Sequence, residues 1–269
     1  MVIGIYLELE IWLLEFGTQV QQAYFLKELK RNRMQKEPLL RIDDVVKKFG
    51  EVVALDHCSF DIERGSITGL IGPNGAGKTT LFNLITGVLQ PDSGHVFFKG
   101  EEITGKKPYE IARKGVGRTY QIIRIFPKMT LLENLIVVGK GRERRVMERA
   151  MELLYLVRLL EKRDDYASDL SFGQQKLLSL AQVLMFDAEL ILLDEPAAGI
   201  NPTLQNELMA LIHRLNEGGK TFIIVEHDMS VIMNHCQNAI ALNYGQKIAE
   251  GSCSLVQQDE RLLEHYFGR

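Results

Sequence analysis

Residues 72–80 read Gly72-Pro73-Asn74-Gly75-Ala76-Gly77-Lys78-Thr79-Thr80 and decide the fold of the chain. The apolar residues Ile67, Leu70 and Ile71 come before them, and apolar residues at helical spacing begin at Leu81. A strand therefore ends, the chain turns and a helix begins, which is the setting of the phosphate-loop pattern G-x-x-x-x-G-K-[ST]. Its glycines let backbone N–H groups face phosphate oxygens, and the helix N-terminus adds partial positive charge. The pattern predicts that Lys78 contacts the β- and γ-phosphates of a nucleotide and that Thr79 binds Mg²⁺.

The composition of the 269 residues is that of an ordinary globular protein, with 46% hydrophobic and 25% charged residues. A net charge of −3 lacks the basic excess of nucleic-acid-binding domains, so no nucleic-acid partner is expected. The three cysteines follow no metal-binding spacing and favour a reducing compartment. No charge-free apolar run reaches about 18 residues, and the apolar start lacks signal-peptide features. These observations predict a cytoplasmic protein.

Two regions are predicted along the chain, an N-terminal extension at residues 1–37 and one α/β domain at residues 38–269. The extension joins an apolar stretch to a basic run, and two interpretations fit it. It is either an amphipathic helix for a membrane surface or a partner, or a tail upstream of a true start at Met34.

Strand patterns of two kinds occur in the domain. Short alternating strands predict an antiparallel flank, at residues 39–45, 52–62 and 96–99. Fully apolar strands that alternate with helices predict a parallel sheet, at residues 190–193, 221–225 and 239–242, with a helix at 204–215. Between residues 122 and 185, apolar residues recur at helical spacing and predict an inserted helical subdomain.

A second motif, Leu193-Asp194-Glu195-Pro196, delivers two carboxylates at the end of an apolar strand. Ligands bind beyond the carboxyl ends of strands in parallel sheets. Asp194 is therefore predicted to bind Mg²⁺, as the acid of this strand does in P-loop ATPases. Glu195 is predicted to act as general base toward the water that attacks the γ-phosphate.

The third motif is Leu170-Ser171-Phe172-Gly173-Gln174, ahead of a helix predicted at residues 176–185. A serine and a glycine that open a helix form an N-terminus suited to anions. Placed between a phosphate loop and an Asp-Glu strand, the motif resembles the LSGGQ signature of ATP-binding cassette (ABC) ATPases. Phe172 replaces the first glycine of that signature. The resemblance covers about residues 39–267.

The same resemblance implies roles for further residues. Gln121, in Arg118-Thr119-Tyr120-Gln121, matches the Q-loop glutamine, which serves both catalysis and the metal. His227, after Val225-Glu226, matches the switch histidine and would act beside Glu195. Phe49 matches the aromatic residue that stacks on adenine, and Asn201 stands where many relatives have Asp.

The fold that the resemblance implies is the P-loop NTPase fold of ABC ATPases. It combines a RecA-like parallel-sheet core, an antiparallel β flank and an inserted helical subdomain, and its cofactors are ATP and Mg²⁺. Two cassettes pair head to tail around two ATP molecules. Ser171 and Gly173 of one would contact the γ-phosphate held by Lys78 of the other, with Gln174 at the same site.

Longer stretches are similar to the ATPase subunits of branched-chain amino-acid importers: residues 118–121, 194–202, 226–229, 245–251 and 263–268. The implied partners are a second cassette, identical or different, a transmembrane permease and, indirectly, a solute-binding protein. The cassette would then be peripheral on the inner face of the membrane. Phe126 and Met129 are candidate permease contacts, with the core as the alternative for each.

Two features depart from that subgroup. The interval between Gln121 and Leu170 is short and resembles lipopolysaccharide-export ATPases, and Gln182 stands where the signature helix often has Arg. Urea, other amides and a lipid-export substrate are alternative cargoes. A soluble cassette of translation or DNA repair is a further alternative. The single phosphate loop, the lack of a long heptad segment and the acidic balance argue against it.

Overall fold

Two β-sheets organise residues 37–258, which are the residues that the computed structural model describes. The extension before Glu37 and the C-terminal motif at 263–268 lie outside them. The strands are β1 Leu40–Phe49, β2 Val52–Ile62, β3 Ile67–Ile71, β4 Ser93–Phe98, β5 Glu101–Glu102, β6 Val116–Arg118, β7 Leu190–Asp194, β8 Thr221–Val225, β9 Asn238–Asn243 and β10 Gln246–Ser252. The helices are α1 Lys78–Ile85, α2 Pro108–Lys114, α3 Leu131–Ile136, α4 Glu143–Leu156, α5 Phe172–Leu184, α6 Pro202–Glu217, α7 Met229–His235 and α8 Cys253–Gln257.

The larger sheet has the order β10-β9-β3-β8-β7-β6, and its strands are parallel except for β10 at one edge. Strands β3, β7 and β8 are buried along their whole length, as the continuous apolar runs predict. Alternate residues of β7 enter different cores: Ile191 and Leu193 one cluster, Leu190 and Leu192 the other. The sheet is therefore covered on both faces, and its carboxyl edge is left for ligands.

The smaller sheet, β2-β1-β4-β5, is antiparallel throughout. Strand β1 runs on to Phe49, beyond the predicted end at residue 45. Register shifts between Ile42 and Lys48 break the alternation of buried and exposed residues, which hides the end of the strand from a periodicity argument. Gly50 then turns the chain with a φ of 60°.

Helices dominate residues 131–184, as predicted, with one isolated bridge between Thr130 and Tyr166 in that part of the described chain. Helix α5 begins at Phe172 rather than at residue 176. Ser171 is its N-cap: its hydroxyl accepts from Gln174 N at 3.4 Å, and Gln174 Oε1 accepts from Ser171 N at 3.0 Å. The reciprocal capping starts the helix inside the motif.

Gln182 anchors α5 in a way that the sequence did not predict. It is buried, and its Nε2 donates to the carbonyl and the side-chain oxygen of Asn134, both at 3.3 Å. Asn134 is fully buried and binds the backbone of the preceding loop at Phe126 and Thr130. The helix is thus tied to α3 and to the loop after Gln121.

Six short elements were not predicted: β5, β6, β10, α2, α7 and α8. Strand β10 pairs antiparallel with β9 although its sequence is polar and contains Gly251, because an edge strand needs only one ladder of hydrogen bonds. Within residues 37–258, no helix combines the length and the apolar composition needed to span a bilayer.

Candidate functional site

One cavity of about 670 Å³ at the carboxyl edge of the parallel sheet collects most of the predicted site residues. It is lined by Phe49, Val52, Val53, Ala54, Asn74, Gly75, Ala76, Gly77, Lys78, Thr79, Thr80, Gln121, Asp194, Glu195, Val225 and His227. The strands β3, β7 and β8 bring together the phosphate loop, the Asp194-Glu195 pair and His227, since their carboxyl ends meet at one edge, and the turn from β1 to β2 adds the residues from Phe49 to Ala54.

The phosphate loop connects β3 to α1, as predicted. Gly77 is the residue before α1 and has a φ of 101°. A Cβ at this position would lie 2.5 Å from the carbonyl oxygen of Ala54, so both the backbone angle and the space require glycine. The N-terminus of α1 therefore faces the cavity, where its unpaired N–H groups suit an anion.

Lys78 lies buried at the base of this loop. Its ammonium donates to the carbonyl oxygens of Gly72 and of Pro73, the latter at 2.9 Å. Burial lowers the pKa of Lys78, and the nearby carboxylates of Glu195 and Asp194 oppose that effect. A polyphosphate in the cavity would compensate this buried charge more strongly than backbone carbonyls do.

Asp194 shares a buried ion pair with Arg118. The Arg118 Nη2 donates to Asp194 Oδ2 at 3.0 Å, and Nη1 donates to Asn83 Oδ1 on α1 at 2.7 Å. The guanidinium carbon also lies 5.3 Å from the ring centroid of Phe82 and 4.8 Å from that of Tyr120, within the range of cation–π interactions. One carboxylate oxygen is thereby committed to Arg118, which fixes the direction of the other.

Glu195 is the point where the predicted catalytic residues meet. Its Oε1 lies 2.7 Å from His227 Nε2, and its Oε2 accepts from Gln121 Nε2 at 2.9 Å. The carboxylate is only 13% exposed. Glu195 has a φ of 51°, a left-handed conformation that is unfavourable for a side chain and that recurs at active sites. The two hydrogen bonds hold the carboxylate in one orientation at the cavity.

The oxygen donors beside the phosphate loop fit Mg²⁺. The Thr79 hydroxyl, the Asp194 carboxylate and the Gln121 amide line the same cavity, and hard oxygen ligands are those that Mg²⁺ prefers. No group of three or more His, Cys, Asp or Glu that could hold a metal occurs among residues 37–258. A magnesium ion here would therefore depend on phosphate oxygens and water for its remaining ligands.

The signature residues do not line this cavity. Ser171 and Gln174 cap each other at the start of α5. Gly173 has a packing reason of its own, because a Cβ there would lie 2.1 Å from Leu204 Cδ2 on α6. Within one chain the signature is therefore separate from the phosphate loop, and its nucleotide contacts stay a prediction.

Sequence reasoning missed Val52, Val53, Ala54 and Val225, which also line the cavity. Val52 is 66% exposed and Phe49 48% exposed, an apolar surface suited to a flat base. The sequence contained a signal for Val52 and Val53, since they begin the strand directly after the turn that follows Phe49. Arg118 was noticed only as part of a motif, and nothing local indicated its partner.

The chain has a phosphate loop between a buried strand and a helix, and an Asp-Glu pair at the carboxyl end of another strand of the same parallel sheet. This combination defines the class of P-loop nucleoside triphosphatases. Residues 55–198 match the family model described as ABC transporter. The chain belongs to this family, and its predicted fold is confirmed.

Relatives from an archaeon and a bacterium match nearly their whole length. The probable branched-chain amino acid transport ATP-binding protein LivG of Archaeoglobus fulgidus is 36% identical over 86% of this chain and 95% of its own. The high-affinity branched-chain amino acid transport ATP-binding protein BraF of Pseudomonas aeruginosa is 36% identical over 86% of this chain and 98% of its own.

Solved structures show the same fold. The ADP conformation of an ATP-binding cassette of an ABC transporter has a TM-score of 0.79 at 36% identity, covering 86% of this chain and 99% of that one. A dimeric ATP-binding cassette in a post-hydrolysis state, bound to ADP and Pi, has a TM-score of 0.71 at 27% identity, covering 80% and 98%.

Proposed function

We propose that this chain binds and hydrolyses ATP and thereby powers an importer of branched-chain or related amino acids. The observation that carries the hydrolytic part is the Glu195 carboxylate, which His227 and Gln121 hold at the wall of the cavity that the phosphate loop lines. A carboxylate oriented beside a polyphosphate site has the position of a general base toward water.

The roles of the remaining residues follow from their places in the cavity. The backbone N–H groups of the loop and the Lys78 ammonium would bind the phosphates. Thr79, Asp194 and Gln121 would hold Mg²⁺, which neutralises phosphate charge when it is bound. The apolar surface of Phe49 and Val52 would receive the adenine ring.

Glu195 would take a proton from the attacking water at one carboxylate oxygen. The other carboxylate oxygen, Oε2, accepts the hydrogen bond from Gln121 and is therefore not the oxygen that takes the proton. His227 Nε2, at 2.7 Å, would stabilise the same carboxylate or the departing phosphate, depending on which ring nitrogen carries the proton. The positions of these residues support the assignment of catalysis to Glu195, His227 and Gln121.

The working form that we propose is a dimer of cassettes. Ser171, Gly173 and Gln174 lie at the start of α5, outside the cavity that holds the phosphate loop of their own chain. A second cassette, identical or different, would receive them against its own nucleotide. The dimeric post-hydrolysis structure of a relative supports this arrangement.

The names of the relatives support the choice of cargo. Both relatives described above are called branched-chain amino acid transport ATP-binding proteins and match at 36% identity over nearly their full length. A lipopolysaccharide exporter and a soluble cassette are not favoured by these relatives. The partners would be a transmembrane permease pair, which holds the cassette at the inner face of the membrane, and, indirectly, a solute-binding protein. Phe126, which is 44% exposed, and half-buried Met129 are candidate contacts with the permease.

The test is purification of the full chain with its co-purifying permeases in mild detergent, followed by reconstitution in vesicles. We expect Mg²⁺-dependent ATP hydrolysis and ATP-driven uptake of leucine in the presence of the binding protein, both lost in Lys78→Ala. Hydrolysis without leucine uptake, or uptake of urea alone, would contradict the proposed assignment of the cargo. A lack of ATP hydrolysis by the complete complex would contradict the proposed ATPase activity.

A further inference from the structure

The segment from Glu195 to Ala198 is held by a lysine of another element. Lys176, on α5, donates from Nζ to the carbonyl oxygens of Glu195 at 2.6 Å, Pro196 at 3.1 Å and Ala198 at 2.6 Å. An ammonium has three donors, and all three find acceptors in this one segment. The lysine is half-buried, so water competes weakly for these donors.

The backbone at Glu195 needs such support. Its φ of 51° is a left-handed conformation that persists in a residue with a side chain only where the surroundings hold it. Glu195 N donates to Val225 O at 2.9 Å, which fixes the start of the segment. Lys176 binds the carbonyl at the other side of the same residue, so both peptide groups of Glu195 are fixed.

The buried carboxylate of Glu226 binds the same segment through a backbone N–H group. Glu226 Oε1 accepts from Ala197 N at 2.7 Å, and Glu226 is almost wholly buried. The lysine therefore binds carbonyls and the glutamate binds an N–H group of the same four residues. We call Lys176 and Glu226 with residues 195–198 the carbonyl clamp.

Phe172 packs beside the ammonium of the clamp. Its ring centroid lies 5.2 Å from Lys176 Nζ, within the range of a cation–π interaction. The same ring packs against Gly199, where an added Cβ would lie 3.1 Å from it. The residue that departs from the general signature thus contacts both the ammonium and the residue that directly follows the segment.

We propose that Lys176 is a positioning residue for Glu195 and links this residue to the helix that begins at Ser171. The proposal rests on the proposed function, in which Glu195 is the general base. A shift of α5 caused by contacts at its N-terminus would move the carbonyl clamp and, with it, the carboxylate beside Gln121 and His227. One side chain would then relay occupancy at the signature to the hydrolysis site of the same chain.

The experiment compares Lys176→Met and Lys176→Arg with Lys162→Met, the same change at a lysine whose side chain is 45% exposed. The full chain is used in each case. Hydrolysis of MgATP gives kcat and KM, and amide hydrogen exchange is followed by mass spectrometry in residues 195–198 and in the phosphate loop. The exchange measurement uses protein without nucleotide.

For Lys176→Met we expect kcat to fall by about 10- to 100-fold, because the general base loses its orientation, with KM changed by less than about two-fold. Exchange should rise in residues 195–198 and stay unchanged in the phosphate loop. Lys176→Arg keeps donors for the carbonyls and should recover part of both properties, and Lys162→Met should match the wild type.

A kcat within about two-fold of wild type in Lys176→Met would overturn the proposal. So would a fall in kcat without faster exchange in residues 195–198, or faster exchange spread over the whole domain. If Lys176→Met does not fold, Lys176→Gln, whose side chain is shorter and uncharged, carries the test, and a kcat and an exchange in residues 195–198 both equal to those of the wild type would overturn the proposal. If the wild type hydrolyses no ATP even in the complete complex with its permeases, the proposed function fails, while the exchange measurement still decides whether Lys176 holds the segment.

Discussion

Replacing Glu195 by glutamine tests the centre of the proposed site with the smallest change in shape. The side chain keeps its size and its place between His227 and Gln121. Glutamine has one accepting oxygen and one donating nitrogen where the carboxylate has two acceptors. The oxygen can accept from Gln121 Nε2 as Glu195 Oε2 does at 2.9 Å, and the amide nitrogen can donate to His227 in its other tautomer. The variant is therefore expected to fold with the geometry of the wild type.

The magnitude follows from what is lost. The glutamine amide cannot take a proton from water, and a positioned general base contributes about 10²- to 10⁴-fold to a rate. At about 1.36 kcal/mol for each factor of ten, this is about 2.7–5.4 kcal/mol of transition-state stabilisation. Nucleotide affinity should change little, since Lys78 and the loop N–H groups that would bind phosphate are untouched.

The assay is steady-state release of phosphate from MgATP together with equilibrium binding of a fluorescent ATP analogue. Glu217→Gln, the same change at the exposed last residue of α6, is the matched control and should behave as wild type. The reasoning is refuted if Glu195→Gln keeps a kcat within about three-fold of wild type. It is also refuted if binding falls as far as turnover, because Glu195 would then serve the nucleotide and not the water.

Two further predictions concern buried polar groups. Asn134→Ala removes the hydrogen-bond partners of the Phe126 N–H and carbonyl groups, now at 2.8 and 2.9 Å. At about 1–3 kcal/mol for each unpaired group, the free energy of unfolding should fall by about 2–6 kcal/mol. Urea denaturation measures this fall, with the exposed Asn206→Ala as control, and a fall below about 1 kcal/mol would contradict the prediction. Burial raises the pKa of Glu226 above its ordinary value of 4.5, so the folded chain retains this proton longer than the unfolded chain, and stability from this group falls as pH rises from 4.5 through the folded pKa. Glu226→Gln keeps an acceptor for Ala197 N without the charge. The melting temperature of the variant minus that of the wild type should rise across this pH window and level off above it. A difference in melting temperature that does not depend on pH would be inconsistent with a buried charge at Glu226.

The site illustrates how far local patterns reach. The phosphate loop and the Asp-Glu strand were predictable because each is continuous in the chain, with apolar residues that reveal a buried strand. Gln121 and His227 were predictable only through resemblance to a family, since a single polar residue after a strand has no distinctive pattern. Their meeting at Glu195 could not be derived from spacing, because it depends on how three strands align at one edge of the sheet.

The sequence by itself determined strands β3, β7, β8 and β9 of the parallel core, the position of the phosphate loop and the helical character of residues 131–184. Each of these depends on periodicity or on glycine geometry within a few neighbouring residues. Only the tertiary structure decided the far end of β1 and the edge strand β10. It alone paired Arg118 with Asp194 and Lys176 with the backbone after Glu195. These two pairings join residues that are distant in the chain, and their stability comes from burial and hydrogen bonds that exist only once the sheet and its helices have packed together.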